Sequence, residues 1–124
     1  MSILIVDDVS LMRRILKNIL VGHCGIDERD IYEATDGNVA LREYKRFKPR
    51  VVFLDVLMPI QDGKETVREL MAEDPNAYII MCSSAGEREI VRDCVNNGAK
   101  DYIIKPLDPE RVKLALENSG FLSG

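Results

Sequence analysis

Apolar residues along this chain alternate between short unbroken runs and longer stretches with a helical period. Residues 3–6 (ILIV), 51–54 (VVFL) and 78–82 (YIIMC) are continuous runs, the pattern of strands buried on both faces. Residues 30–34 and 101–105 read as two further strands, the second ending in a lysine. Leu11, Met12, Ile15, Leu16, Ile19 and Leu20 form one helical stripe, with Ser10 as the expected N-cap and Gly22 and Gly25 as the stop. Val39, Leu41, Tyr44 and Phe47 fit a second helix closed by Pro49, and residues 64–73 a third with Val67, Leu70 and Met71 inward. Ile90, Val91, Cys94 and Val95 mark a fourth helix stopped by Gly98, and residues 109–118 a fifth started by Pro109. Five strand–helix pairs with short connections predict an α/β fold, one doubly wound parallel sheet with helices on both faces. Right-handed crossovers leave few topologies open.

A chain of 124 residues fits one domain able to bury a core unaided. Its hydrophobic and charged fractions, 46% and 31%, are ordinary for a soluble globular protein. A net charge of −4 argues against nucleic acid as a partner. No apolar run approaches the roughly 18 residues of a membrane span. Met1 and Ser2 lead straight into ILIV, without the basic start and cleavage site of a signal peptide. Cys24, Cys82 and Cys94 are odd in number and lack CxxC spacing, so they read as free thiols in a reducing cytoplasm. With no linker or repeat, and a tail after Asn118 too short for another fold, residues 1–124 are expected to form one domain that signals through its own surface.

The candidate chemistry lies at the strand ends. ILIVDD closes on Asp7 and Asp8, VVFLD on Asp55, and DYIIKP on Lys105. In an open parallel sheet ligands bind at the carboxyl ends of the strands. A single aspartate there is ordinarily a helix cap; three acids and a Lys-Pro on separate strands form a pattern that chance rarely produces. A carboxylate can attack phosphorus to give an aspartyl phosphate, a reaction that depends on positioning and on neutralised charge. Asp55 is the candidate nucleophile because it stands alone at the end of its strand. Asp7 and Asp8 are candidate ligands for magnesium, which prefers carboxylate oxygens. Lys105 is the cation for a phosphoryl oxygen.

DD after the first strand, SLMRRI, the lone Asp55 followed by MP-x-x-DG, Ser83 after the fourth strand and GAKDYIIKP together carry a resemblance. Over nearly its whole length the chain resembles a receiver domain of two-component signalling, most of all the stand-alone chemotaxis regulators. The resemblance implies strand order 2-1-3-4-5, the flavodoxin-like arrangement that general fold rules name for this family. It implies a single receiver domain without an output domain, in which Asp55 accepts phosphate with Lys105 and Ser83 assisting. It also implies Mg2+ held by Asp7, Asp8, Asp55 and the Leu57 carbonyl, and a cis Lys105–Pro106 bond that aims the lysine. Ser83 and Tyr102 match the family's switch pair: phosphate draws the hydroxyl inward and the ring fills the vacated space.

The implied partners are a sensor histidine kinase of the CheA-like type, a chemotaxis motor or adaptor protein, and a phosphatase, with no nucleic acid and no membrane; the expected state is a cytoplasmic monomer. The expected role is a phospho-accepting switch rather than an enzyme. A single-domain relay passing phosphate to a histidine phosphotransfer protein is the alternative. Leu57, Ala85 and Ser84 depart from the best-known chemotaxis regulators; neither Leu57 nor Ala85 can orient a water, so slow self-hydrolysis is expected. Arg13, Arg14 and Lys17 are either a kinase contact or, more commonly, a solvated helix face. His23, the only histidine, has no partner motif. A DxD-type phosphatase would separate the acids of the first strand, and a flavin carrier would place Gly, Ser and Thr where DDVS stands.

Overall fold

The computed structural model describes residues 1–58 and 61–121; Pro59 and Ile60 of the MP-x-x-DG stretch, and residues 122–124, lie outside the described residues. Strands β1 (Ile3–Val6), β2 (Ile31–Ala34), β3 (Val51–Asp55), β4 (Ile79–Ser83) and β5 (Asp101–Ile104) alternate with helices α1 (Ser10–Gly22), α2 (Gly37–Phe47), α3 (Gly63–Glu73), α4 (Arg88–Asn96) and α5 (Pro109–Ser119). All strand pairs are parallel and the order is β2-β1-β3-β4-β5, as expected. β3 is central, so Asp55 leaves the sheet at its middle.

Residues that alternate along each strand feed two separate cores. Leu4, Val6, Val52, Leu54, Ile79 and Met81 pack with Tyr44, Val67, Leu70, Val91 and Cys94 from α2, α3 and α4. Ile3, Ile5, Val51, Phe53, Ile80 and Cys82 pack on the other face with Leu16, Leu20, Val112 and Leu116 from α1 and α5. This two-sided burial is why the strands read as continuous apolar runs. At about 25 cal/mol per Å2 of apolar surface, these two layers are the main source of stability.

Some boundaries move. Ser10 does not cap α1: the N-cap is Val9, without a side-chain bond. Asp30 belongs to a short 3-10 turn, Glu28–Asp30, set by the Asp27 carboxylate accepting the Arg29 N–H, so β2 begins one residue later than its pattern suggests. β4 extends to Ser83, which pairs in register with Ile104. β5 stops at Ile104, and Lys105 stands just outside it before a cis bond to Pro106. Val95 of the α4 stripe is 43% exposed rather than inward. Cys24, Cys82 and Cys94 are all free, the last two buried. No helix among the described residues is long and apolar enough to cross a membrane.

Candidate functional site

Asp7 follows directly on β1 and is 6% exposed. Its own N–H donates to the Ala34 carbonyl (3.1 Å), and its Oδ1 accepts the Val9 N–H (3.0 Å), which fixes the turn into α1. Asp8, next along, is exposed. Asp55 ends β3 beside Cys82 of β4, with 8% of its surface accessible. Lys105 is tied to the rim of β4 by its N–H donating to the Ser83 carbonyl (2.7 Å). From there its ammonium donates to Asp55 Oδ1 at 2.9 Å and lies 3.8 Å from Asp7 Oδ2. Chain segments remote in sequence therefore meet at one point because the parallel topology brings every strand end to the same edge.

One carboxylate oxygen each from Asp7, Asp8 and Asp55 lies within 4.8 Å of the others. Hard oxygen donors at that spacing suit a magnesium-sized cation, and the exposed side of Asp8 leaves room for the waters such an ion keeps. The charges strain one another in its absence. Burial pushes the Asp55 carboxyl above the ordinary range; the Lys105 hydrogen bond opposes this and the Asp7 charge adds to it. Burial alone would lower the Lys105 ammonium, but the hydrogen bond and charge of Asp55, with Asp7, carry it above its usual value. Beneath the site, Phe53, Cys82 and Leu107 help to close a void of only about 10 Å3, which holds a single water at most. Burial also raises the Cys82 thiol to about 12, so this neighbour of Asp55 is no competing nucleophile. Any reaction must take place at the outer, wetted rim.

Of the remaining sequence candidates, Ser83 is buried (1% exposed) at the end of β4, and Tyr102 on β5 is 46% exposed. Both line one groove of about 440 Å3, together with Ala85, Val91, Val95 and Ile104. The Leu57 side chain, expected to lend only its carbonyl, is 51% exposed at the rim. Four residues have positioning roles that hydrophobic pattern and motif do not reveal. Arg13 is not a freely solvated charge: its Nη1 donates to the Asp7 carbonyl (2.8 Å) and its Nε to Glu33 (3.0 Å), bracing the β1 turn against β2. Lys17 likewise pairs with Glu28 and Glu33, at 3.3 and 3.7 Å. Gly63 donates its N–H to the Val56 carbonyl (2.7 Å), so a helix start sits directly behind the Asp55 loop. Its only sequence signal was the DG step. The fourth is Glu87, whose carboxylate accepts the Ser84 N–H at 2.6 Å. His23 meets Glu110 at 2.6 Å and is not part of the Asp7–Asp8–Asp55 group.

Residues 3–117 match the model of the response regulator receiver domain. The chain belongs to the receiver domain family. This receiver is 42% identical to the chemotaxis protein CheY of Listeria monocytogenes over 119 residues, covering 96% of this chain and 98% of that one. It is 43% identical to CheY of Thermotoga maritima, covering 92% of each. Its backbone is similar to a chain in the CheX–CheY–BeF3–Mg2+ complex of Borrelia burgdorferi, with a TM-score of 0.85, 35% identity, and 94% and 87% of the two chains covered. The flavodoxin-like fold expected from the motifs is therefore the fold observed. The chain is a CheY-like receiver domain of the response regulators of two-component signalling.

Proposed function

We propose that this receiver accepts a phosphoryl group on Asp55 from a sensor histidine kinase and thereby changes its affinity for a chemotaxis motor or adaptor protein. The observation that carries the reading is the Lys105 ammonium 2.9 Å from Asp55 Oδ1 beside the Asp7 and Asp8 carboxylates. In the transfer, an Asp55 oxygen forms a new O–P bond while the N–P bond of the donor phosphohistidine breaks. The bonding electrons stay on the imidazole, which takes up a proton. Lys105 moves from the carboxylate oxygen to a phosphoryl oxygen, a charge-assisted bond already aimed in the resting site. Ser83, at the end of β4, supplies a hydroxyl donor to a second oxygen. Asp7, Asp8, Asp55 and the Leu57 carbonyl are the residues that would hold Mg2+, which supplies neutralisation of the phosphoryl charge when bound. The similar Borrelia chain comes from a complex that contains BeF3 and Mg2+, and three clustered carboxylates, Asp7, Asp8 and Asp55, are the groups of this chain that would meet such ligands.

The output follows from a two-state element biased by new contacts. Ser83 and Tyr102 share one groove, so drawing the serine hydroxyl toward phosphate opens room for the exposed ring to turn inward. That movement alters the surface of α4, β5 and α5, where the partner binds. Role and reaction together describe a switch that contributes to its own phosphorylation and dephosphorylation, with no separate substrate.

The test is direct. Incubated with acetyl phosphate and Mg2+, the protein should gain the mass of one PO3 group, stable to acid and labile to base. The gain should vanish in Asp55→Asn and in chelator. No gain in the unsubstituted protein would end this reading. A beryllofluoride-loaded sample should then retain a partner that the unloaded sample does not.

A further inference from the structure

Ser84 is the first residue beyond β4, so its backbone N–H emerges at the same rim as Ser83, Lys105 and Asp55. That donor is already occupied. Glu87 Oε1 accepts it at 2.6 Å, and the turn is closed by the Glu87 N–H donating to the Ser84 carbonyl at 3.1 Å. The use of this acid is unlike that of its counterparts. Asp36, Asp62 and Asp108 each precede a helix and accept an N–H from that helix's first turn. Glu87 precedes α4 but makes no such cap; its side chain reaches back to the strand end instead. It is also close enough for its charge to disfavour ionisation of Asp55.

Building on the assignment of Asp55 as phospho-acceptor, we infer that Glu87 is a built-in competitor for the phosphoryl group, a carboxylate occupying the Ser84 N–H until phosphate displaces it. Phosphorylation replaces the single negative charge of Asp55 with about two. The like charge of Glu87 then opposes the modified state, and it yields by releasing Ser84. The released N–H becomes a donor for a phosphoryl oxygen, and the Ser84–Glu87 turn loosens at the start of α4. Glu87 thus sets how readily the site is loaded, and its departure couples loading to the helix that borders the Tyr102 groove.

Glu87→Ala and Glu87→Gln separate this role from scaffolding, because the position is partly exposed and lies outside both hydrophobic cores. With acetyl phosphate and Mg2+, Glu87→Ala should be labelled faster than the unsubstituted chain by about three- to tenfold, the scale of one nearby, partly screened charge. Glu87→Gln, which keeps an acceptor without the charge, should fall between the two. Raising salt should narrow the gap, since screening acts on the charge and not on the turn. If the unsubstituted chain is labelled at Asp55 but Glu87→Ala and Glu87→Gln are labelled no faster, the inference is overturned while the phospho-acceptor assignment stands. If no chain is labelled, both fall.

Discussion

Lys105 donates to Asp55 Oδ1 at 2.9 Å although 50 residues separate the two along the chain. The ammonium is the cation holding a buried carboxylate in place, and its removal leaves Asp55 unpaired beside the Asp7 and Asp8 carboxylates. Lys105→Met should therefore destabilise the metal-free protein by about 1–3 kcal/mol, the cost of an unpaired, partly buried charge. Urea unfolding in chelator measures it. A loss below about 0.5 kcal/mol would show that solvent, not Lys105, balances the acids.

The raised Asp55 carboxyl has a consequence for pH. Its ordinary value is 3.8 and its folded value is higher, chiefly through burial. Between those two values the folded chain keeps a proton that the unfolded chain has released, so stability falls as pH rises through the window. Asp55→Asn removes this group. In chelator, the stability of the unsubstituted protein minus that of Asp55→Asn should decline with increasing pH above about 3.8 and level off once Asp55 is ionised in both states. A difference that rises with pH would contradict the assignment of burial as the dominant cause.

Cation binding reverses the strain. A ligand that binds only the folded state at about ten times its Kd adds about 1.4 kcal/mol, or about 3–8 °C in Tm for a domain of this size. Millimolar Mg2+ should produce such a rise over chelator, and Asp7→Asn or Asp8→Asn should abolish it. An unchanged Tm in the unsubstituted protein would remove the metal from the mechanism.

The close approach behind Asp55 can be tested without touching the acids. A Cβ placed on Gly63 would lie 2.9 Å from the Val56 carbonyl oxygen and 3.0 Å from that of Asp55, both fixed backbone atoms. Gly63→Ala must therefore shift the β3–α3 loop. It should cost about 1–3 kcal/mol of stability, as overpacking does, and slow labelling of Asp55 by displacing it. An alanine variant as stable as the original would mean that the loop relaxes freely.

These residues also mark the limit of what was legible beforehand. The sheet could be read because each strand is buried on both faces, which writes an unbroken apolar run into the chain. The acids could be read because each follows such a run. Asp30 and Ser10 were misplaced because local side-chain bonds, Asp27 to the Arg29 N–H and Asp7 to the Val9 N–H, set those boundaries, and hydrophobic period carries no trace of them. The apolar run stops at Cys82 and so places Ser83 past the strand, whereas pairing with Ile104 continues. Arg13 and Glu87 could not be assigned because their partners, the Asp7 carbonyl and the Ser84 N–H, are backbone groups, which look alike at every position of a sequence.

Leu57 gives the last prediction. It stands two residues beyond Asp55 with half of an apolar side chain in solvent at the mouth of the site. Ala85, two residues beyond Ser83, is exposed and equally unable to hold a hydrogen bond from its side chain. Hydrolysis of the aspartyl phosphate needs a water aligned with the O–P bond, and alignment is a large part of such a barrier. With no side chain at either position to hold that water, the phosphoryl group should outlast the scale of seconds on the isolated protein. Leu57→Asn places a donor and an acceptor at the mouth and should shorten the lifetime by about tenfold. Following the loss of the added mass after the donor is removed decides it: decay within seconds in the unsubstituted protein, or an unchanged lifetime in Leu57→Asn, would show that water positioning at this residue is not the limit.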